Sequence, residues 1–327
     1  MRNPKNIRHL FFLFIAFASL LSCNTNDDGL PPAEDSIAEI VANSPQFSTL
    51  KTALERTGLE TSLQASGSLT LFAPTDAAFD LFLATANFAS IEDVPEDVLE
   101  NLLLNHVLAA RVDESILRAL GKNYTETMAV GPVANKKLTL FFDATESKIV
   151  LNGISDITEA DIRATNGIIH VVDAVIDFPT LATFVKSNDG FSKLTQALTT
   201  ATPATDFMAT LSGSAQYTLF APADVAFDAL LDTNPDWTTV DDIEEGLLTS
   251  VLQHHVVSGI IRSSDINDDD TATTLEGDLI TFSTANGGID ITDGEGNDGI
   301  TVVVADLQAI NGVLHAIDEV LIPDTTN

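Results

Sequence analysis

Thr70–Asp80 reads TLFAPTDAAFD, and Thr218–Asp228, 148 positions later, reads TLFAPADVAFD, identical at 9 of 11 places. Leu69 and Leu71 flank Thr70 in strand-like alternation and run through Phe72 into Pro74. Proline has no N–H to give a sheet ladder, so it marks the end of a strand. A carboxylate follows, then apolar residues at helical spacing. Asp76 and Asp224 are expected to cap these helices, because a short side-chain oxygen accepts the unpaired N–H groups of a first turn. Phe79 and Phe227 come three residues later, on the face that returns to the core. The unit is a strand, a proline stop, an acidic cap and a helix. Its recurrence predicts two copies of one domain.

Outward from the first copy, Ile37, Ile40 and Val41 make a short helix face, and Phe47, Leu50 and Leu54 keep helical spacing until Gly58. After Pro95, which suits a first helical turn, Leu99, Leu102, Leu103 and His106 fall at i, i+3, i+4 and i+7. That spacing puts His106 on a buried stripe. From Arg111 the pattern is strand-like, clearest at Leu138, Leu140 and Phe142, and again at Ile149 and Leu151. Asn166-Gly167 signals a hairpin turn. Ile168–Ile176 (IIHVVDAVI) then reads as a strand buried on both faces, with His170 inside it. The second copy repeats the order. Phe184, Phe191, Leu194 and Leu198 open it, Leu248, Val251, Leu252 and His255 form the stripe, and Asn311-Gly312 precedes Val313–Ile322 (VLHAIDEVLI) with His315 inside. The expected architecture is α+β, with domains over 35–179 and 180–323, no long linker between them, and a short tail over 324–327. Such a pair is expected to be stiff.

The chain's 327 residues suit two domains, and 45% hydrophobic content can fill two cores. Its formal net charge of −33 argues against a nucleic-acid partner, which would require basic clusters to neutralise phosphates. At the N-terminus Arg2, Lys5 and Arg8 precede an uncharged apolar run, Leu10–Leu21, which is short for a bilayer span and proportioned as a secretion signal. The run ends Leu20-Leu21-Ser22-Cys23, which resembles the bacterial lipoprotein lipobox, with leucine where a smaller residue is usual. Cys23 is the chain's one cysteine, so no intrachain disulfide is available and the domains rest on their cores. The resemblance implies a signal peptide over 1–22 and lipidation of Cys23. Residues 23–34 would then serve as acylated cysteine and flexible tether. Acyl chains on Cys23 would hold the protein on a membrane. Asp27 and Asp28, just after the cysteine, are similar to surface-export signals of Bacteroidetes-type lipoproteins, which implies the outer membrane facing outward, with a periplasm-facing orientation as the alternative.

The paired motifs resemble the fasciclin-like domain family. TLFAPTDAAF and TLFAPADVAF are similar to its first signature, and NGIIHVVDAVI and NGVLHAIDEVL to its second. The resemblance covers nearly all the chain beyond the tether and implies a wedge of β-strands packed with several helices. Between the signatures the family usually carries Tyr-His, near a site implicated in integrin adhesion. Here the pairs are Asn105-His106 and His254-His255, which weakens an integrin reading. The family implies adhesion and matrix attachment, in some members binding of hydrophobic pigments, and no typical catalytic activity.

Four histidines recur as His106 with His170 and His255 with His315. Imidazole can bind metal or move protons, but the expected role is structural, a buried ring hydrogen-bonded to a backbone carbonyl or to Asp76 or Asp224. His254 is expected on the surface. Asp268–Asp270 and the run DITDGEGND are oxygen-rich, which makes Asp290, Asp293, Glu295 and Asp298 calcium candidates. Counted from Asp293 the run is not an EF-hand loop, since its glycine, Gly299, is one place late and its twelfth position is Val304. An acidic hairpin tip that guards a strand edge explains it equally well. No GxSxG, HExxH or P-loop occurs, and the GxGxxG spacing of Gly294–Gly299 leads into the strand-like ITVVV rather than a helix, so neither a nucleophile nor a cofactor is nominated. The expected function is a non-catalytic adhesion or binding lipoprotein facing an extracellular protein or glycan. The alternatives are a carrier of a small apolar ligand, which would need a cavity of several hundred Å³, and a calcium-dependent module.

Overall fold

The computed structural model describes residues 33–324. The signal segment, Cys23, nearly all of the tether and the tail after residue 324 lie outside the described residues. In the first domain the chain runs through α1 (Ile37–Asn43), α2 (Ser48–Thr57), α3 (Leu59–Gln64), β1 (Leu69–Pro74), α4 (Asp76–Ala86), α5 (Glu96–Leu104), β2 (Val107–Leu108) and α6 (Glu114–Leu120). The strands β3 (Lys122–Val130), β4 (Lys137–Asp143), β5 (Val150–Leu151), β6 (Ser155–Ala164) and β7 (Gly167–Val172) complete it. The second domain has α7 (Leu181–Ser187), α8 (Ser192–Ala197), α9 (Phe207–Ser212), β8 (Tyr217–Pro222), α10 (Asp224–Leu231), α11 (Glu245–His254) and β9 (Val256–Ser258). It closes with β10 (Thr271–Thr273), β11 (Leu279–Ser283), β12 (Asp290–Thr292), β13 (Ile300–Ala309) and β14 (Gly312–Ile317).

Each domain is one mixed seven-stranded sheet, ordered β2-β1-β7-β6-β5-β4-β3 in the first and β9-β8-β14-β13-β12-β11-β10 in the second. The two signature strands lie side by side. β1 pairs with β7 in parallel, Phe72 opposite His170 and Pro74 opposite Val172 at the last rung, and β8 pairs with β14 in the same way. Both are buried because both faces are covered. Leu71, Ala73, Ile169 and Val171 pack under the helices with Leu50, Phe79 and Leu102, while Phe72 and Val172 turn to a second cluster with Leu140 and Phe142.

Close approach explains the glycine that opens β7. A Cβ on Gly167 would stand 2.2 Å from the Leu69 carbonyl oxygen, and one on Gly312 would stand 2.1 Å from that of Tyr217. Asn166, which precedes it, does more than turn the chain. Its Oδ1 accepts from the Ile37 N–H at 2.9 Å, and its Nδ2 donates to the Leu63 and Ala65 carbonyls at 2.6 and 3.0 Å. One side chain thus ties the hairpin to the start of α1 and the end of α3. Asn311 repeats this with Leu181, Leu211 and Gly213.

Several expectations are corrected. Thr75, not Asp76, caps α4, its hydroxyl accepting from the Ala78 N–H. Asp76 caps the neighbouring helix α2, accepting from the Ser48 hydroxyl at 2.6 Å and the Thr49 N–H at 2.8 Å. Asp224 does the same for α8 through Ser192 and Lys193. The stretch after Arg111 begins with a helix, α6, capped by Asp113. β7 stops at Val172 rather than Ile176, because the Ile176 N–H leaves the ladder and donates to the His106 ring at 2.9 Å.

The domains share a core. Tyr124 and Phe141 of the first belong to the apolar cluster under the second domain's helices. The Tyr124 ring meets Phe184 edge-on with centroids 6.1 Å apart, and its hydroxyl accepts from Asn188 Nδ2 at 2.8 Å. Burying two such rings contributes about 3–6 kcal/mol. Around them the Gln308 N–H donates to the Thr139 hydroxyl at 3.0 Å, the Ser187 hydroxyl donates to the Asn152 carbonyl at 2.7 Å, and Lys122 pairs with Asp189 at 2.5 Å.

Candidate functional site

The motif histidines are all inside the protein, and each ring is saturated by backbone. His106 follows α5, so its Nδ1 faces the Leu102 carbonyl one turn back at 2.8 Å, and its Nε2 accepts from Ile176. Accepting at Nε2 places the proton on Nδ1 and makes the ring neutral. His255 repeats this with the Val251 carbonyl at 2.7 Å and the Leu321 N–H at 2.9 Å. Burial pushes His106 down to about 4 and His255 to about 3, since a charged ring would lose its water and face an N–H.

His170 stacks on Phe72 at 5.6 Å, donates from Nε2 to the Val112 carbonyl at 2.8 Å and accepts at Nδ1 from the Asp161 N–H at 3.3 Å. Asp161 is a β6 residue at φ 66 where the register with β7 shifts. Its carboxylate caps α6 by accepting from the Glu114 N–H at 2.9 Å. His315, Phe220, Ile261, Asp306 and Ser263 rebuild this unit in the second domain. Burial lowers the pKa of both rings. The structure gathers none of these four rings around a shared site, and Asp76 and Asp224 serve the helix starts instead. These residues hold the fold.

The oxygen-rich run is a strap. Asp293 Oδ1 and Oδ2 accept from the Asn297 N–H at 2.8 Å and the Ile322 N–H at 2.9 Å, and the Glu295 N–H donates to the Ile322 carbonyl at 3.2 Å. Asp290 accepts from Asn286 and Thr301, and Asp298 is exposed. Asp290, Asp293, Glu295 and Asp298 are therefore spread along one segment, where the Asp293 carboxylate holds backbone and that of Asp290 holds side chains.

His254 corrects an expectation, being fully buried. The β10–β11 hairpin closes over it and brings in Glu276 and Asp278, so that one ligand-capable atom from each lies within 4.8 Å of the others. Sequence reasoning missed this trio and the bonding roles of Asn105 and Tyr124. It read Asn166 and Asn311 only as turn residues, though the repeated Asn-Gly was the available signal for their wider role.

Two spaces accompany these residues. An apolar cavity of about 160 Å³ in the first domain is lined by Leu50, Leu54, Leu63, Leu103, Val107 and Met128 among others. Where the domains meet, an open cleft of about 450 Å³ is bordered by Ile154, Asp177, Phe178, Thr183 and Lys186.

Comparison with known proteins agrees with this geometry. The Fasciclin domain profile matches residues 45–179 and again 189–323. Human periostin is 27% identical over 270 residues, covering 82% of this chain and 30% of periostin. Pig transforming growth factor-beta-induced protein ig-h3 is 26% identical over 280 residues, covering 82% of this chain and 36% of that protein. The chain thus spans about a third of the length of these curated relatives. The solved FAS1 domain pair of the insect cell adhesion molecule Fasciclin I superposes with a TM-score of 0.53 at 16% identity, over 84% of this chain and 97% of that one. Two matched domains, each with paired signature strands and a saturated histidine pair, place this chain in the fasciclin domain family.

Proposed function

We propose that this protein is an exported, lipid-anchored, non-catalytic adhesion or binding protein that presents two fasciclin domains to an extracellular protein or glycan. The observation that carries this reading is the saturation of the motif side chains. The four recurring histidines are neutral, buried and bonded to backbone through both nitrogens, so none is placed to take a proton from a substrate. What the fold offers is surface, held in fixed relation by the shared core, including a junctional cleft that a single domain would lack. The relative named a cell adhesion molecule supports the same direction. Acyl chains on Cys23 would supply the anchor, with the domains facing outward from an outer membrane. The apolar cavity is a poor carrier's pocket, since about 160 Å³ admits a ligand near benzene in size. Attachment of cells that carry the protein should fall when the purified domain pair is added as a soluble competitor. Unchanged attachment, in wild type and in a strain lacking the protein alike, would overturn the reading.

A further inference from the structure

Position 254 ends α11 as Asn105 ends α5, and the asparagine shows what the fold requires there. Asn105 Nδ2 donates to the Ile176 and Asp177 carbonyls at 3.0 and 3.1 Å, and its Oδ1 accepts from the Thr127 hydroxyl at 3.2 Å. Thr127 also reaches the carbonyl of Leu138, a fully buried residue. In the second domain Thr274 takes the part of Thr127, its hydroxyl 3.2 Å from His254 Nδ1, but the carbonyl it reaches across the shorter hairpin is that of Asp278. A carboxylate has replaced a core leucine, and Glu276 stands in the turn beside it.

We propose that His254, Glu276 and Asp278 form a site for a divalent first-row transition ion of the Zn²⁺ class. His254 Nδ1 is 3.7 Å from Glu276 Oε2, and the three ligand atoms lie within 4.8 Å of one another. A tetrahedral Zn²⁺ with bonds of about 2.0–2.2 Å sets its ligands about 3.4 Å apart, so closing the site requires only small movements of two side chains on a hairpin turn. Backbone donors orient both acids: the Asp278 N–H donates to Glu276 Oε2 at 3.1 Å, and the Asp324 N–H to Asp278 Oδ2 at 2.8 Å. Such outer contacts pre-organise a site. The imidazole shifts its preference away from calcium and magnesium, which favour oxygen alone.

Binding also has a structural consequence. Nε2 of His254 accepts from the Gly294 N–H at 3.2 Å, which leaves the ring proton on Nδ1. An ion on Nδ1 moves that proton to Nε2, and Gly294 loses its acceptor. The strap over Asp293–Asn297, which holds Ile322, is then loosened on its inner side.

The test is a titration of the untagged protein with Co²⁺ in excess Ca²⁺, which occupies exposed carboxylates. One equivalent should give the visible bands of low-coordinate Co²⁺, displaced by Zn²⁺, and Zn²⁺ should speed hydrogen exchange at Gly294. His254→Asn, which installs the first domain's residue, should abolish the bands. Glu276→Gln and Asp278→Asn should each weaken binding at least about tenfold. Absence of bands in the wild type, or bands of equal affinity in all three variants, would overturn the proposal. The two acid substitutions keep the test decisive should His254→Asn misfold.

Discussion

Lowering the pH should destabilise the second domain through His255, by an amount that follows from its surroundings. His255 is fully buried, its Nε2 committed to accepting from Leu321, and its pKa stands at about 3 against an ordinary 6.5. The unfolded chain therefore takes up the proton first. The stability contributed by the neutral ring is complete above pH 6.5 and drains away as the pH falls toward 3. Between pH 7 and pH 4.5 nearly two units are crossed at about 1.4 kcal/mol each, a loss of about 2.5 kcal/mol from this one ring. Trp237 is the chain's one tryptophan and packs against the second domain's core, so urea unfolding followed by its fluorescence reads this domain. Asp318 and Glu319, raised chiefly by burial, work in the opposite direction, so the comparison must be with His255→Gln, which keeps a donor and an acceptor but does not titrate. The wild type should lose about 2.5 kcal/mol more than the variant over this interval. Equal pH dependence in the two proteins would refute the reasoning.

Other substitutions test the remaining supports. Gly167→Ala forces a Cβ against the Leu69 carbonyl, a backbone atom that cannot step aside. It should cost the first domain at least about 3 kcal/mol in chemical denaturation, while Gly288→Ala, which meets nothing, should stay within about 0.5 kcal/mol. Asp76→Ala removes the remote cap of α2 and should cost about 1–2 kcal/mol, as should Asp224→Ala at α8. Tyr124→Phe leaves the Asn188 amide without its partner between the domains. It should cost about 1–2 kcal/mol and separate the Trp237 transition from that seen by far-ultraviolet circular dichroism.

The elements most legible in the sequence were those that bury a repeating apolar pattern. TLFAP and the segment after each Asn-Gly could be read as paired-domain strands because both faces of β1 and β7 are covered. Helix α6 was hidden because Glu114–Leu120 is short and buries only Leu117. The strand ends were misjudged because Val175 and Ile176 are as apolar as the strand before them, and only the His106 ring tells where the ladder stops. Asp76 sits at a helix start in sequence but caps a helix whose first residue is 28 positions away, a contact that depends on packing. His254 looked like a surface residue because its neighbour His255 faces the core. The hairpin that buries it, and that delivers Glu276 and Asp278, follows from β10–β11 register, which the sequence does not declare.

The presentation of this domain pair from a lipid anchor is tested most directly by protease digestion of intact cells, comparing wild type with Cys23→Ala. The wild-type domains should be membrane-bound and cut without lysis, and Cys23→Ala should be released from the membrane. A Cys23→Ala protein that stays membrane-bound would contradict the anchor. Wild-type domains protected until the envelope is opened would contradict the outward presentation.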